Sequence, residues 1–96
     1  MVAGLEQPLR ATQAKKLIRR ILESGTVVFT NHALSELAKD DLTTVDALRA
    51  LQGGVVEEAE WERGAWRHRV RTPRIAVVVE FESEAELVVV TAWREE

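Results

Sequence analysis

Residues 55–94 read VVEEAEWERGAWRHRVRTPRIAVVVEFESEAELVVVTAWR, and apolar and polar residues alternate with a period of two through most of this segment. Such alternation is typical of strands that bury one face of a sheet. We predict four strands at residues 55–61, 65–71, 75–82 and 86–94. Because the links between them are short, the strands should form an antiparallel meander.

The loop of the first hairpin, Arg63-Gly64, predicts its register. In this register an aromatic residue faces an aromatic residue and acidic residues face basic ones, and such cross-strand pairs stabilise a hairpin. The predicted pairs are Glu62 with Ala65, Trp61 with Trp66, Glu60 with Arg67 and Glu58 with Arg69. Alternation assigns Ala59, Trp61, Trp66, His68 and Val70 to the core, and Glu58, Glu60, Glu62, Arg67, Arg69 and Arg71 to solvent.

Helical periodicity replaces alternation in the first half of the chain. Apolar residues recur three and four positions apart between a predicted cap at Thr12 and a stop at Gly25. They are Ala14, Leu17, Ile18, Ile21 and Leu22. The other face of this helix is basic, and it is either a nucleic-acid contact or an ordinary solvated surface.

A short strand and two more helices are predicted between this helix and the sheet. The strand is the β-branched run at residues 26–29, and Thr30 or Asn31 caps the helix that follows it. Thr43 with Asp46 three residues later resembles a capping box, so a third helix begins there. It should run to about Leu51, before two glycines.

These elements predict one α+β domain over residues 1–96, with N-terminal helices packed on a C-terminal antiparallel β-sheet. Residues 1–11 lack periodicity and are expected to form a flexible arm. The net charge of −3 argues against a binder that coats nucleic acid over its whole surface.

Composition also limits the chemistry. The absence of cysteine excludes disulfides, thiolate metal sites and cysteine nucleophiles. No secretory signal and no apolar run long enough to cross a bilayer are present, so we expect a cytoplasmic protein that does not contact membranes. The two histidines have no ligand spacing, so neither a metal nor another cofactor is expected.

His32 and His68 are the candidate acid–base groups. His32 falls in the first turn of the second helix, where backbone N–H groups favour anions. It is either a base beside a bound phosphate or a partly buried residue that closes the helix start. His68 shares the predicted core side with Trp66 and Val70, so it is either a core-edge residue or a proton carrier.

Arginines form the candidate phosphate site. Arg67, Arg69 and Arg71 share one face of a strand, and guanidinium groups can bind phosphate with two hydrogen bonds. The alternative is that Glu58 and Glu60 pair with them across the hairpin. Trp93, near the end of the last strand, is a candidate for stacking on a base or facing a partner.

Several segments resemble the RelE-like bacterial toxins, and the MqsR branch in particular. They are TQAKKLIRRILESGTVVFT (12–30), AWRHRVRTPRI (65–75) and ELVVVTAWREE (86–96). FTNHALSEL (29–37) and VVVTAWR (88–94) also resemble a related family of small bacterial proteins, which carry a His-Ala near a helix start and a late aromatic-Arg pair. The likeness covers about 85 residues.

This resemblance implies a type II toxin, a metal-independent endoribonuclease that cuts mRNA, in some cases on the ribosome, and is neutralised by a cognate antitoxin of the helix-turn-helix class. Arg67 stands at the position of the family's catalytic glutamine, and Arg94 at that of its C-terminal lysine. The family's catalytic tyrosine would fall near residue 76, but the chain contains no tyrosine, so His32 or His68 should replace it.

Two alternatives remain at this point. One is a non-catalytic protein-binding module of the same fold, which the missing tyrosine and the acidic net charge favour. The other is a homodimer formed through the edges of the sheet. The nuclease interpretation requires Arg67 and Arg94 to converge on one concave surface.

Overall fold

Within residues 5–95, six strands and three helices form where the two periodicities predict sheet and helix. The computed structural model describes residues 5–95. The helices are α1 (Ala11–Ser24), α2 (Asn31–Lys39) and α3 (Thr44–Gly53). The strands are β1 (Thr26–Phe29), β2 (Val55–Val56), β3 (Glu60–Glu62), β4 (Ala65–Arg71), β5 (Ile75–Ser83) and β6 (Glu86–Arg94). The predicted α+β class, with N-terminal helices on a mostly antiparallel sheet, is confirmed.

The sheet is ordered β1-β6-β5-β4-β2, and β3 pairs with β4 off this path. The predicted meander is present in β4, β5 and β6, since β5 is antiparallel to both β4 and β6. The early strand β1 joins the sheet by pairing in parallel with the last strand, Val27 beside Leu87. The sequence pattern predicted β1 but not its partner.

The predicted strand 55–61 is divided in two. Val56 pairs with Val70, whereas Glu60 pairs with Arg67, so one extra residue separates the two pairings. The predicted pairs from Glu60 to Glu62 are confirmed, but Glu58 does not face Arg69. Its carboxylate instead accepts the N–H of Ala11, at 3.1 Å, and satisfies the start of α1.

Trp61 lies outside the core, contrary to the prediction. It is 59% exposed and packs edge-on against Trp66 with ring centroids 5.2 Å apart. Because β3 pairs with β4 away from the main sheet, its side chains do not reach the layer that the helices cover. The alternation therefore predicted correctly on which side of the strand Trp61 lies, but it did not predict that this side chain is exposed.

The core lies between the helices and one face of the sheet. Its largest fully buried side chains are Ile18, Ile21, Leu37, Leu51, Leu87, His68, Val70, Val77, Val79 and Val89. Leu5 and Leu9 pack against this core, so part of the expected flexible arm is attached to it, and residues 1–4 lie outside the described chain. The cap of α1 is Arg10 and not Thr12. None of the helices in residues 5–95 is long and apolar enough to span a bilayer.

Helix α2 runs beside the second half of β6. At its start, Thr30 donates its hydroxyl to the carbonyl of Val90 at 3.0 Å and accepts the N–H of Ala33 at 2.9 Å. At its end, the carbonyl of Asp40 accepts a hydrogen bond from the Arg94 guanidinium at 2.7 Å. Nine helical residues span about 13 Å, so the two ends of α2 support two separate surface regions.

Candidate functional site

A cleft of about 700 Å³ lies at the start of α2, between β6 and the β3–β4 hairpin. We call it the His32 cleft. It is lined by Thr30, His32, Glu62, Arg63, Arg67, Val90 and Thr91. Two of the predicted catalytic residues, His32 and Arg67, therefore share one cavity. They come from segments that are 35 positions apart, and the sheet topology joins them.

His32 is exposed in the first turn of α2, where the sequence placed it. Thr30 is the N-cap, which confirms one of the two predicted caps. The backbone N–H groups of a first helical turn point toward solvent and favour a negative charge. The imidazole is thus accessible to a ligand, and it lies beside a region that favours anions.

Arg67 is half-buried and shared between two carboxylates. Its Nε donates to Glu80 at 2.7 Å, and its Nη1 donates to Glu62 at 3.4 Å. These contacts fix the guanidinium plane at the wall of the cleft, since only 18% of the side chain is exposed. Arg67 therefore has a fixed orientation but is already partly neutralised.

Arg63 completes the cationic side of the cleft, and sequence reasoning did not select it. Arg63 and Gly64 both have positive φ, 50° and 83°, which is the geometry of a tight hairpin turn. The side chain at the tip is exposed and lines the cleft. Within residues 5–95 no carboxylate comes within 4.0 Å of its guanidinium. The predicted two-residue loop was the signal that could have identified it.

The remaining arginines of the stripe are not a free cationic surface. Arg71 contacts Glu57 at 2.6 Å and Glu95 at 2.7 Å. Arg69 lies 3.9 Å from Glu57 and covers the ring of Trp93 at 5.6 Å. The predicted phosphate contacts at Arg69 and Arg71 are therefore paired with carboxylates, but the partners are Glu57 and Glu95 and not the predicted Glu58 and Glu60.

One face of the Trp93 ring and its polar atom are both engaged. Its Nε1 donates to Glu95 at 2.7 Å, and Arg69 lies over its ring. The predicted base-stacking role would require Arg69 to move. Trp93 therefore belongs to the packed surface of the sheet, and it does not line the His32 cleft.

His68 is buried and cannot meet a substrate. Its exposure is 0%, its ring packs against Phe81, and its Nδ1 lies 2.9 Å from the carbonyl oxygen of Glu57. That contact requires Nδ1 to carry the proton. The prediction that His68 acts as an acid or base is therefore wrong. The alternation of side chains along β4 places His68 on the face of the sheet that the helices cover.

Arg94 lies in a different cavity. Trp93 pairs with Ala76 on the face that carries Arg71 and hence Arg67, whereas Arg94 pairs with the buried Ile75 on the opposite face. It lines a pocket of about 380 Å³ with Arg49 and Arg74, which we call the arginine pocket. The expected convergence of Arg67 and Arg94 does not occur, so the predicted site in which both residues hold one phosphate is wrong.

The His32 cleft holds the groups that phosphodiester cleavage requires. An imidazole and the Glu62 carboxylate can exchange protons, while Arg63, Arg67 and the helix start can stabilise a developing negative charge. In the described part of the chain, no three carboxylate or imidazole side chains cluster as metal ligands do.

Comparison with known proteins identifies a family. A family model described as a domain of unknown function, DUF4258, matches residues 29–94. This span runs from the last residue of β1 to the end of β6 and contains His32, Arg67 and Arg94. No curated protein and no solved structure matches the chain.

Proposed function

The chain belongs to the DUF4258 family, and we propose that it is an mRNA-cleaving toxin of a type II toxin–antitoxin pair with its active site in the His32 cleft. One observation carries this proposal. An imidazole, a carboxylate and two guanidinium groups from two separate parts of the chain line the same open cavity. Of the positions that the resemblance to RelE-like toxins implied, Arg67 lies in this cleft and Arg94 does not, so the proposed site differs from the one that the resemblance implied.

The proposed reaction uses the 2′-hydroxyl of RNA as nucleophile. Glu62, which lies 3.4 Å from Arg67, removes the hydroxyl proton, and the oxygen attacks the adjacent phosphorus. The bond to the 5′-oxygen breaks, and His32 donates the proton that this leaving oxygen requires. The products are a 2′,3′-cyclic phosphate and a free 5′-hydroxyl, with Arg63 and Arg67 stabilising the charged intermediate.

Mutation of His32 tests the proposal. We expect the wild-type chain to stop growth when overexpressed and to cut RNA after cell-free synthesis, and we expect His32→Ala to cut at least about a hundredfold more slowly. Lys16→Ala, at an exposed residue of α1, is the matched control. Arg94→Ala should retain cleavage, because Arg94 lies outside the cleft. A harmless wild type that cuts no RNA, or a fully active His32→Ala, would overturn the assignment.

A toxin of this kind requires a cytoplasmic location and a cognate antitoxin. We propose that the antitoxin is a small helix-turn-helix repressor and that it covers the His32 cleft. Coexpression with the product of the neighbouring reading frame should restore growth and yield a stable complex. If the complex still cleaves RNA at the rate of the isolated chain, the proposed mode of neutralisation is wrong.

The second candidate function is a non-catalytic protein-binding module. It is favoured because Arg67, Arg69 and Arg71 are all paired with carboxylates, and because Val55 and Trp61 are 67% and 59% exposed at the β2–β3 side. A chain that leaves RNA intact but loses a protein partner on Trp61→Ala would favour this function. A measurement of mass in solution tests the homodimer alternative.

A further inference from the structure

The arginine pocket brings together three guanidinium groups that sequence analysis did not connect. Arg49 comes from α3, Arg74 from the turn between β4 and β5, and Arg94 from β6. Within residues 5–95 none of the three has a carboxylate oxygen within 4.0 Å. The contrast with the stripe on the opposite face, where each arginine has such a partner, indicates that these three cations are arranged for an anion from outside the chain.

Arg94 is held at the pocket wall by backbone contacts. Its Nη2 donates to the carbonyl of Asp40 at 2.7 Å, and its backbone N–H donates to Oδ2 of Asp40 at 2.8 Å. The first contact uses one of the five N–H donors of the guanidinium. The remaining donors stay available, and the fixed side chain loses little conformational freedom when a ligand binds.

The two carboxylates in the pocket leave an excess of positive charge. Asp41 and Asp46 line it with the three arginines, so the formal sum is 3 − 2 = +1. Asp46 is already engaged, since it accepts the backbone N–H of Thr43 at 2.8 Å and its hydroxyl at 3.0 Å. An anion can therefore reach the guanidinium groups without first breaking an ion pair.

The floor of the pocket is apolar and consists of Leu42, Ala50 and Ile75. Its volume of about 380 Å³ is within the range of small-ligand sites. Guanidinium groups favour phosphate, an apolar floor favours a flat ring, and a free carboxylate such as Asp41 accepts N–H groups. We propose that the arginine pocket binds a nucleotide through its phosphate group, either as a free molecule or within an RNA strand.

This site is separate from the His32 cleft, since the two lie at opposite ends of α2. The proposal therefore does not depend on RNA cleavage. Titration calorimetry with 5′-AMP, inorganic phosphate and a short 2′-O-methyl RNA that cannot be cleaved tests it. The variants are Arg49→Gln and Arg74→Gln, with Arg10→Gln, at an exposed arginine that lines neither cavity, as the control. Thermal unfolding checks that each chain folds.

We expect nucleotide binding to weaken at least about tenfold for each pocket arginine removed, and to be unchanged in Arg10→Gln. Tighter binding of 5′-AMP than of inorganic phosphate would identify a free nucleotide. Binding of the RNA without binding of 5′-AMP would identify a phosphate within a strand. The proposal is wrong if neither 5′-AMP nor the RNA binds at millimolar concentration, or if Arg49→Gln and Arg74→Gln bind as tightly as the wild type.

Discussion

At the scale of single residues, His68 shows how one buried polar group stabilises an irregular strand. Its Nδ1 donates to the carbonyl of Glu57, in the interruption between β2 and β3. Without this bond, that carbonyl would lose its partner in a low-dielectric region. His68 is therefore a structural residue.

We expect His68→Ala to lower the free energy of unfolding by about 3 kcal/mol, because it opens a cavity and removes the bond to Glu57. Urea denaturation measures this effect. His32→Ala is the matched control, since the same substitution at an exposed histidine should change stability by less than about 0.5 kcal/mol. Equal losses in the two variants would contradict the structural role.

At the scale of elements, the link between α3 and β2 depends on Gly54. A Cβ atom there would lie 2.7 Å from the carbonyl oxygen of Ala50 and 2.9 Å from that of Arg71. We expect Gly54→Ala to lower the free energy of unfolding by about 1–3 kcal/mol, because backbone atoms must move to make room for the added Cβ. Gly53→Ala is its control: a Cβ there meets nothing within 4 Å, and alanine favours the helix by up to about 1 kcal/mol. Thermal unfolding of both variants measures the difference.

The start of α3 makes stability depend on pH. The backbone N–H and hydroxyl of Thr43 lower the pKa of Asp46 below its ordinary value of 3.8. A carboxyl whose pKa is lower in the folded state stabilises the fold above pH 3.8, and this contribution is lost as the pH falls through the folded-state pKa. The stability difference between wild type and Asp46→Asn should therefore be constant from pH 7 to 5 and shrink below pH 3.8. A difference that stays constant at low pH would contradict this.

Local signals predicted the elements well, because caps and periodicity are properties of neighbouring residues. The Thr43–Asp46 capping box, the cap at Thr30 and the stop at Gly25 are all present. The interruption of the first strand was not predictable in this way. It depends on Glu58 meeting the start of α1 and on His68 meeting Glu57, and both contacts join distant parts of the chain.

At the scale of the whole molecule, the sheet should be most stable at its centre. β5 and β6 have a neighbouring strand on each side, whereas β3 pairs with β4 alone. We expect amide hydrogens of Val77 and Val89 to exchange on the order of a hundredfold more slowly than that of Trp61. Hydrogen exchange followed by NMR measures this. Faster exchange in β6 than in β3 would contradict the strand order.

The His32 cleft and the arginine pocket also depend on the fold of the whole molecule, so the sequence predicted their residues only in part. His32 and Arg67 were selected singly, but their shared cleft depends on the pairing of β1 with β6 and on the position of the hairpin. The resemblance suggested that Arg94 would join them. Arg94 directly follows Trp93 in β6, and because successive side chains of a strand point to opposite faces, Arg94 lies on the other face of the sheet.

The parallel pairing of β1 with β6 joins residues that are 60 positions apart, and contacts between distant parts of the sequence slow folding. Folding should therefore be slow for a chain of this size, and it cannot finish while the last strand is still being synthesised. A nascent chain that ends before Val90 has neither the His32 cleft nor the arginine pocket. For a toxin, this delay would protect the ribosome that is making it and give an antitoxin time to arrive.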